Sequence, residues 1–152
     1  RLHGGVYDVV LMLQPTSPFR TAAQVEATVR KLIDGGYDAV WTLSPTDSKA
    51  HPLKQLILKG EFVDYYDPRG AEIIARQQLT PVYHRNGVAY AITRQCLLEQ
   101  GSIKGKRCSA VVIEEPVANI DTPEDLWMAG MYMKQIQEKG AALGKLGESG
   151  AN

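Results

Sequence analysis

With 152 residues, 44% of them apolar and 22% charged, the chain has the size and composition of one soluble globular domain with room for a true core. Seventeen basic and seventeen acidic residues leave no net charge, which argues against a nucleic-acid partner held by bulk electrostatics. Two cysteines without metal-ligand spacing, and no apolar run long enough to cross a bilayer, argue against a disulfide scaffold, a zinc site and a membrane span; free thiols in the cytoplasm are the expectation.

Val6 to Leu13 is nearly continuous in apolar residues, the pattern of a buried strand in a parallel sheet. It runs into Leu13-Gln14-Pro15-Thr16-Ser17-Pro18-Phe19-Arg20, a polar loop braced by two prolines at a strand's carboxyl end, where open α/β sheets bind ligands. Gln14, Thr16, Ser17 and Arg20 there offer an amide, two hydroxyls and a cation, although such a loop also serves as a plain connection. Thr21 with Gln24 forms a capping-box pattern, and Val25, Val29, Leu32 and Ile33 recur at helical spacing. Gly35-Gly36 stops that helix, and Asp38 to Leu43 is a second strand. Strand, helix, strand in this order implies a right-handed βαβ unit and a parallel sheet.

The middle reads as a hairpin, Leu53 to Leu58 and Glu61 to Tyr66 around Lys59-Gly60. Residues 71–78 read as a short helix or an ordered loop. Val82-Tyr83 and Gly87 to Thr93 read as strand material around a polar loop, His84-Arg85-Asn86, and Ala110 to Ile113 as a further strand. Thr122-Pro123-Glu124-Asp125 opens the last helix, with Leu126, Met133 and Ile136 on its apolar face. A flexible tail is expected over residues 140–152. The domain is thus expected over residues 1–139, with a β-rich insertion over about 51–93.

Glycine-rich phosphate fingerprints are absent. Four clusters carry candidate chemistry. Lys54, in His51-Pro52-Leu53-Lys54, puts a cation just inside a strand; on its own it reads as a solvated lysine. Arg76-Gln77-Gln78-Leu79 gathers a guanidinium, suited to carboxylate or phosphate, and two amides; its plain alternative is an exposed helix face. Asn86-Gly87-Val88-Ala89-Tyr90 sets an amide at a glycine turn and a phenol on the next strand, or is a simple strand entry. Asn119 and Asp121 point the same way in an extended segment and offer oxygens to Mg²⁺, unless Asp121 or Thr122 merely caps the helix.

Together these segments resemble the acylneuraminate cytidylyltransferases, the CMP-sialic acid synthetase family. Leu13 to Pro18, His51 to Lys54, Arg76 to Leu79, Asn86-Gly87 with Tyr90, and Ile120-Asp121-Thr122 occur in the family's order, over most of residues 7–133. The resemblance implies an α/β, Rossmann-like nucleotidyltransferase fold of the nucleotide-diphospho-sugar transferase type, with a parallel core sheet and a β-rich dimerisation insertion. It implies transfer of CMP from CTP to a nine-carbon keto-acid sugar, releasing pyrophosphate, with Mg²⁺ as the metal and a homodimer as the assembly. It also implies roles: Asp121, Arg76 and Lys54 at the reacting centre; Gln14, Thr16, Ser17, Lys54, Arg76, Gln77, Asn86 and Tyr90 around the substrate; Asp121, with Asn119, at the metal.

Departures from the family pattern accompany the match. The family's amino-terminal strand and its glycine- and lysine-bearing nucleotide loop lie outside this chain, which is therefore expected to be a carboxyl-side portion. Asn119 stands where the family carries an aspartate, His84-Arg85 where it carries Arg-Pro, and Ser102-Ile103 where dimeric members place aromatic residues. Two other readings stay open: a non-catalytic sugar-binding or dimerising module, and a nucleotidyltransferase acting on 3-deoxy-manno-octulosonate or a cofactor precursor.

Overall fold

The computed structural model describes residues 6–148, with side chains described to residue 136. Strand β1 (Val9–Met12) leads through the Leu13–Arg20 loop into helix α1 (Ala22–Gly35). The capping box forms as expected. Thr21 Oγ1 accepts from Gln24 N at 3.2 Å, and Gln24 Oε1 accepts from Thr21 N at 2.9 Å. Gly36, at φ +57°, closes the helix in the left-handed region and donates to Ile33 O. Strand β2 (Ala39–Pro45) follows.

The chain then makes a long excursion before re-entering the sheet as β5 (Tyr83–Thr93). The excursion holds a hairpin, β3 (Leu56–Lys59) with β4 (Phe62–Tyr65), and four short 3₁₀ turns. A short helix α2 (Arg94–Leu98), strand β6 (Cys108–Val112) and helix α3 (Pro123–Glu148) complete the order. α3 continues through residues 140–148, across the start of the expected tail. Residues 149–152 of that tail lie outside the described residues.

The described residues form a four-stranded sheet in the order β1-β5-β2-β6. β2 and β6 are parallel, but β5 runs antiparallel to both β1 and β2. The expected parallel core sheet is therefore mixed, and only partly parallel. The reason is topological. The excursion starts and ends at the carboxyl end of β2, where Thr46 N donates to Val82 O at 2.9 Å. The returning strand must then run the opposite way. β1 and β2 remain parallel to one another through the α1 crossover, with β5 between them.

Three other expectations change. β5 is one continuous strand where the sequence indicates two pieces around a loop, so the excursion ends at Val82 and not at 93. β1 is an edge strand among the described residues, with Val10 and Met12 about two-fifths exposed; only β5 pairs with it. Leu126, Met133 and Ile136 of α3 are exposed, and the helix is seated instead by buried Ala129 and by Tyr132, whose ring stands edge-on to Phe19 at 5.3 Å.

Strand alternation divides the core into two faces. On the α1 side, Leu32 packs with Val40 and Ala91, flanked by Val29 and Val111. On the α2 side, Ala39, Tyr90, Ile92 and Cys96 pack with Trp41 and Leu97. Each large side chain buried here, such as Leu32 or Ile92, contributes about 1.5–3 kcal/mol. Cys96 and Cys108 are free thiols, as the composition indicated, and burial pushes both above the usual thiol range. No helix among the described residues is long and apolar enough to cross a membrane.

Candidate functional site

The carboxyl ends of β1, β2 and β6 and the start of β5 share one end of the sheet. The Gln14 loop, Ser44 to His51, His84 to Gly87 and the segment before α3 therefore emerge together, where ligands bind open α/β sheets.

At the centre lies an irregularity in β5. Trp41 pairs with Tyr90, but Leu43 pairs with Arg85, so residues 86–89 all stand against Thr42. Thr42 replaces the missing ladder. Its hydroxyl accepts from Ala89 N at 2.9 Å and lies 2.7 Å from Asn86 Oδ1 and 3.0 Å from Ala89 O, one proton serving two acceptors. Asn86 Oδ1 also accepts from Val88 N at 3.2 Å, and Asn86 Nδ2 donates to Ser44 Oγ at 3.0 Å. Tyr90 Oη accepts from Gly87 N at 3.1 Å. No buried side-chain polar atom among the described residues lacks a partner. Wide bulges next to sites re-aim the chain, and this one is fully satisfied internally.

The bulge carries the Gln14 loop. Gln14 N donates to Gly87 O at 3.2 Å, and Ser17 Oγ donates to Asn86 O at 2.9 Å. Arg20 donates to three main-chain carbonyls, those of Ser17 and Val88 at 3.1 Å each and that of Gln14. Gly87 sits at φ +75°, and a Cβ there would lie 2.3 Å from Gln14 Oε1 and 2.7 Å from Ser17 Oγ. Only glycine suits both the backbone and the space.

The segment before α3 is tied to the same loop, with Ile120 N donating to Thr16 O at 2.8 Å. Asp125, not Asp121, completes the helix cap. Its Oδ2 accepts from Thr122 N at 2.8 Å and Asp121 N at 3.1 Å, while Thr122 Oγ1 accepts from Asp125 N at 3.2 Å. The Thr122 hydroxyl and these two amides hold the Asp125 carboxyl below the usual carboxylate range. Asp121 is thereby released from capping; its carboxylate is exposed and accepts from Asn119 Nδ2.

The excursion brings the cations. Lys54 lies in a 3₁₀ turn, Pro52–Lys54, and not in a strand. Pro52 opens that turn and His51 clamps it, Nδ1 accepting from Leu53 N at 3.1 Å. His51 Nε2, the protonated nitrogen in that arrangement, donates to Thr80 O at 3.1 Å. Arg76 opens the 3₁₀ turn Arg76–Gln78, in which Gln78 Oε1 accepts from Ile74 N and Ala75 N. Arg76, His51, Thr46 and Thr80 line a cleft of about 250 Å³.

Sequence-derived residues thus divide. Gln14, Lys54, Arg76, Gln77, Asn119 and Asp121 present exposed side chains, and Thr16 is half-buried. Ser17, Asn86 and Tyr90 are buried, with their polar atoms spent inside the fold. Among the described residues no hydrogen bond ties Lys54 or Arg76 to Gln14 or Asp121. No cluster of three His, Cys, Asp or Glu side chains able to hold a metal occurs among them. Thr42, Ser44 and His51 carry the site's support and escape sequence reasoning. Only the alternation of β2, which turns Thr42 inward among apolar neighbours, hinted at a buried hydroxyl needing a partner.

The arrangement is an α/β domain with a satisfied bulge beneath a strand-end loop. Its fold is similar to that of a CMP:2-keto-3-deoxy-manno-octonic acid synthetase solved with CTP, with a TM-score of 0.57 and 15% identity over 84% of this chain and 62% of that one. In sequence the chain is similar to CMP-N,N'-diacetyllegionaminic acid synthase of Legionella pneumophila, 29% identical over 135 residues. The match takes in 87% of this chain and 56% of that protein, so the chain spans little more than half of its relative's length. No family model matches the chain. The resemblance to the sialic-acid-type cytidylyltransferases that the ordered motifs carry is thus met by the sequence match, and the fold is that of a CMP-sugar synthetase.

Proposed function

We propose that this chain supplies the sugar-binding side of a CMP-sugar synthetase that joins CTP to a nonulosonic keto-acid sugar and releases pyrophosphate. The observation that carries this reading is the meeting of the Gln14 loop, the β5 bulge and the Asp121 segment at one end of the sheet, through Gly87 O and Thr16 O. Arg76 takes the sugar carboxylate in a two-pronged contact inside its cleft, and Lys54 adds charge from the neighbouring turn. Gln14 reads a sugar hydroxyl from the rigid loop. Ser17, Asn86 and Tyr90 hold that loop and do not touch the ligand. The chemistry is attack of the sugar's anomeric hydroxyl on the α-phosphorus, favoured by positioning.

The residues fit Mg²⁺ in one respect. Mg²⁺ binds through one or two carboxylates plus substrate phosphates, and Asp121 offers one carboxylate spared by the helix cap. Asn119 adds a carbonyl oxygen once its amide turns, without charge. The bound ion offsets negative charge on the phosphates.

A homodimer through the hairpin completes the proposal. Leu58 and Val63 face one another across β3 and β4, at 76% and 61% exposure, with Leu56 and Tyr65 beside them. Such a stripe marks an interaction surface.

Calorimetric titration tests the reading, using CTP with and without Mg²⁺, then N-acetylneuraminate, N,N'-diacetyllegionaminate and 3-deoxy-manno-octulosonate. Saturable binding of a nine-carbon acid, weakened about tenfold or more in Arg76→Gln, supports it. Binding of none of these sugars, or binding indifferent to Arg76, overturns it and leaves the non-catalytic module as the reading.

A further inference from the structure

On the sheet face opposite α1, a groove of about 540 Å³ opens between β5, β2 and the turn before β6; none of Gln14, Lys54, Arg76 or Asp121 lines it. Its volume lies in the range of small-molecule sites. Trp41 forms the floor, held by Nε1–H donating to Ile103 O at 3.1 Å and by the edge of Tyr90 at 5.7 Å. The Arg85 guanidinium lies over the Trp41 ring at 5.5 Å, fixed by a cation–π contact on one face.

Lys104 stands across the groove on a turn with little freedom. Ser102 Oγ accepts from Lys104 N at 3.1 Å and Gly105 N at 3.0 Å, and Asp38 Oδ2 accepts from Lys106 N and Arg107 N at 2.8 and 2.9 Å. No carboxylate lines the groove, and among the described residues neither Arg85 nor Lys104 enters an ion pair. Arg30, Lys59 and Arg69, by contrast, each hold a carboxylate within 2.8 Å. Leu43, Tyr83, Cys108 and Ala110 make much of the remaining wall apolar or aromatic, with His84 and Ser109 as its polar members.

We propose that this groove binds an organic phosphate, with Arg85 and Lys104 on the phosphate oxygens and the Leu43–Tyr83–Ala110 wall on its apolar or planar body. Two pre-placed cations without an anion match a dianion. A guanidinium backed by a ring keeps its N–H edge for two-pronged contact. The apolar wall selects against a bare ion.

Phenyl phosphate is the probe, with inorganic phosphate and phenol as comparisons. The chain has two tryptophans, so Trp127→Phe, at an exposed position, leaves Trp41 as the reporter. The expected result is a saturable change in Trp41 emission, matched by calorimetry, with phenyl phosphate about tenfold tighter than either comparison. Arg85→Gln loses about tenfold or more and Lys104→Gln several-fold, at unchanged thermal midpoint, while Arg76→Gln binds as the parent does. Absence of saturable binding, equal binding of inorganic phosphate, or retention in both Arg85→Gln and Lys104→Gln overturns the proposal. Loss in Arg76→Gln alone puts the ligand in the neighbouring cleft and overturns it too. Tight binding of an acidic peptide with none of phenyl phosphate makes the groove a protein-docking surface instead.

Discussion

The β5 bulge and the 46–82 excursion meet at the same end of the sheet but are held by different means. The bulge is buried, and Asn86, Thr42, Ser44, Ser17 and Tyr90 satisfy one another inside it. The excursion is largely exposed and leans on short turns, on the Thr46–Val82 bond and on side-chain clamps such as those of His51 and Gln78. The first is a platform whose geometry is over-determined. The second carries the cations Lys54 and Arg76 on segments that open at small cost. A site assembled from both pairs a fixed reading surface with an adjustable charged arm.

Substitutions separate the two. Gly87→Ala is the most severe, because the left-handed backbone and the contacts at 2.3 and 2.7 Å both oppose a Cβ. A loss of about 3 kcal/mol is expected in urea unfolding. A loss under about 1 kcal/mol breaks the picture of an over-determined platform. Thr42→Val strands Ala89 N and leaves Asn86 Oδ1 with Val88 N alone, at a cost of about 2 kcal/mol, with Thr42→Ser recovering most of it. His51→Leu costs about 1 kcal/mol globally. Its signature is faster amide exchange at Leu53 and its turn while β2 and the core of β5 stay protected. Equal acceleration in β2 would show that the two regions are one cooperative unit.

Leu58→Asp stays within about 0.5 kcal/mol of the parent as a monomer, since the residue is exposed, but abolishes self-association in sedimentation if the hairpin is the interface. The smallest effect is on pH. The Asp125 carboxyl titrates below its unfolded value, so its support of the α3 cap is present above the usual carboxylate pKa and is lost as pH falls through the lowered one. The Thr122 amide resonance follows that loss in acid, and Asp125→Asn removes the dependence.

Local chemistry was legible where it is written in neighbouring residues. Thr21 with Gln24, the Gly36 stop, Thr122-Pro123 and the Lys59-Gly60 hairpin each involve partners within a few positions, and each forms. The end of the sheet from which the Gln14 loop emerges was legible too, because strand, loop and helix succeed one another there. The direction of β5 was not, since it depends on where a 37-residue excursion returns, and Thr46–Val82 closes it far apart in sequence. Asn86 and Tyr90 advertise polar chemistry in one dimension. Packing alone decides that Asn86 meets a buried threonine 44 residues away and that Tyr90 turns back onto Gly87 N. Of the two readings left open for Asp121, the cap made by Asp125 with Thr122 removes the capping one.

The position of β5 also sets the order in which this chain can assemble. β1 and β2 each meet β5 and never one another, and the remaining ladder, β2 to β6, needs residues later still. Among the described residues, β1 and β2 therefore gain their shared sheet partner only once β5, through Thr93, has been made. Helix α1 meets β2 early through Leu32 and Val40, but closing the long loop to β5 precedes the reward from the ladder. Within this sheet β5 is thus the piece that joins β1 to β2, and β6 adds to the edge of β2 afterwards.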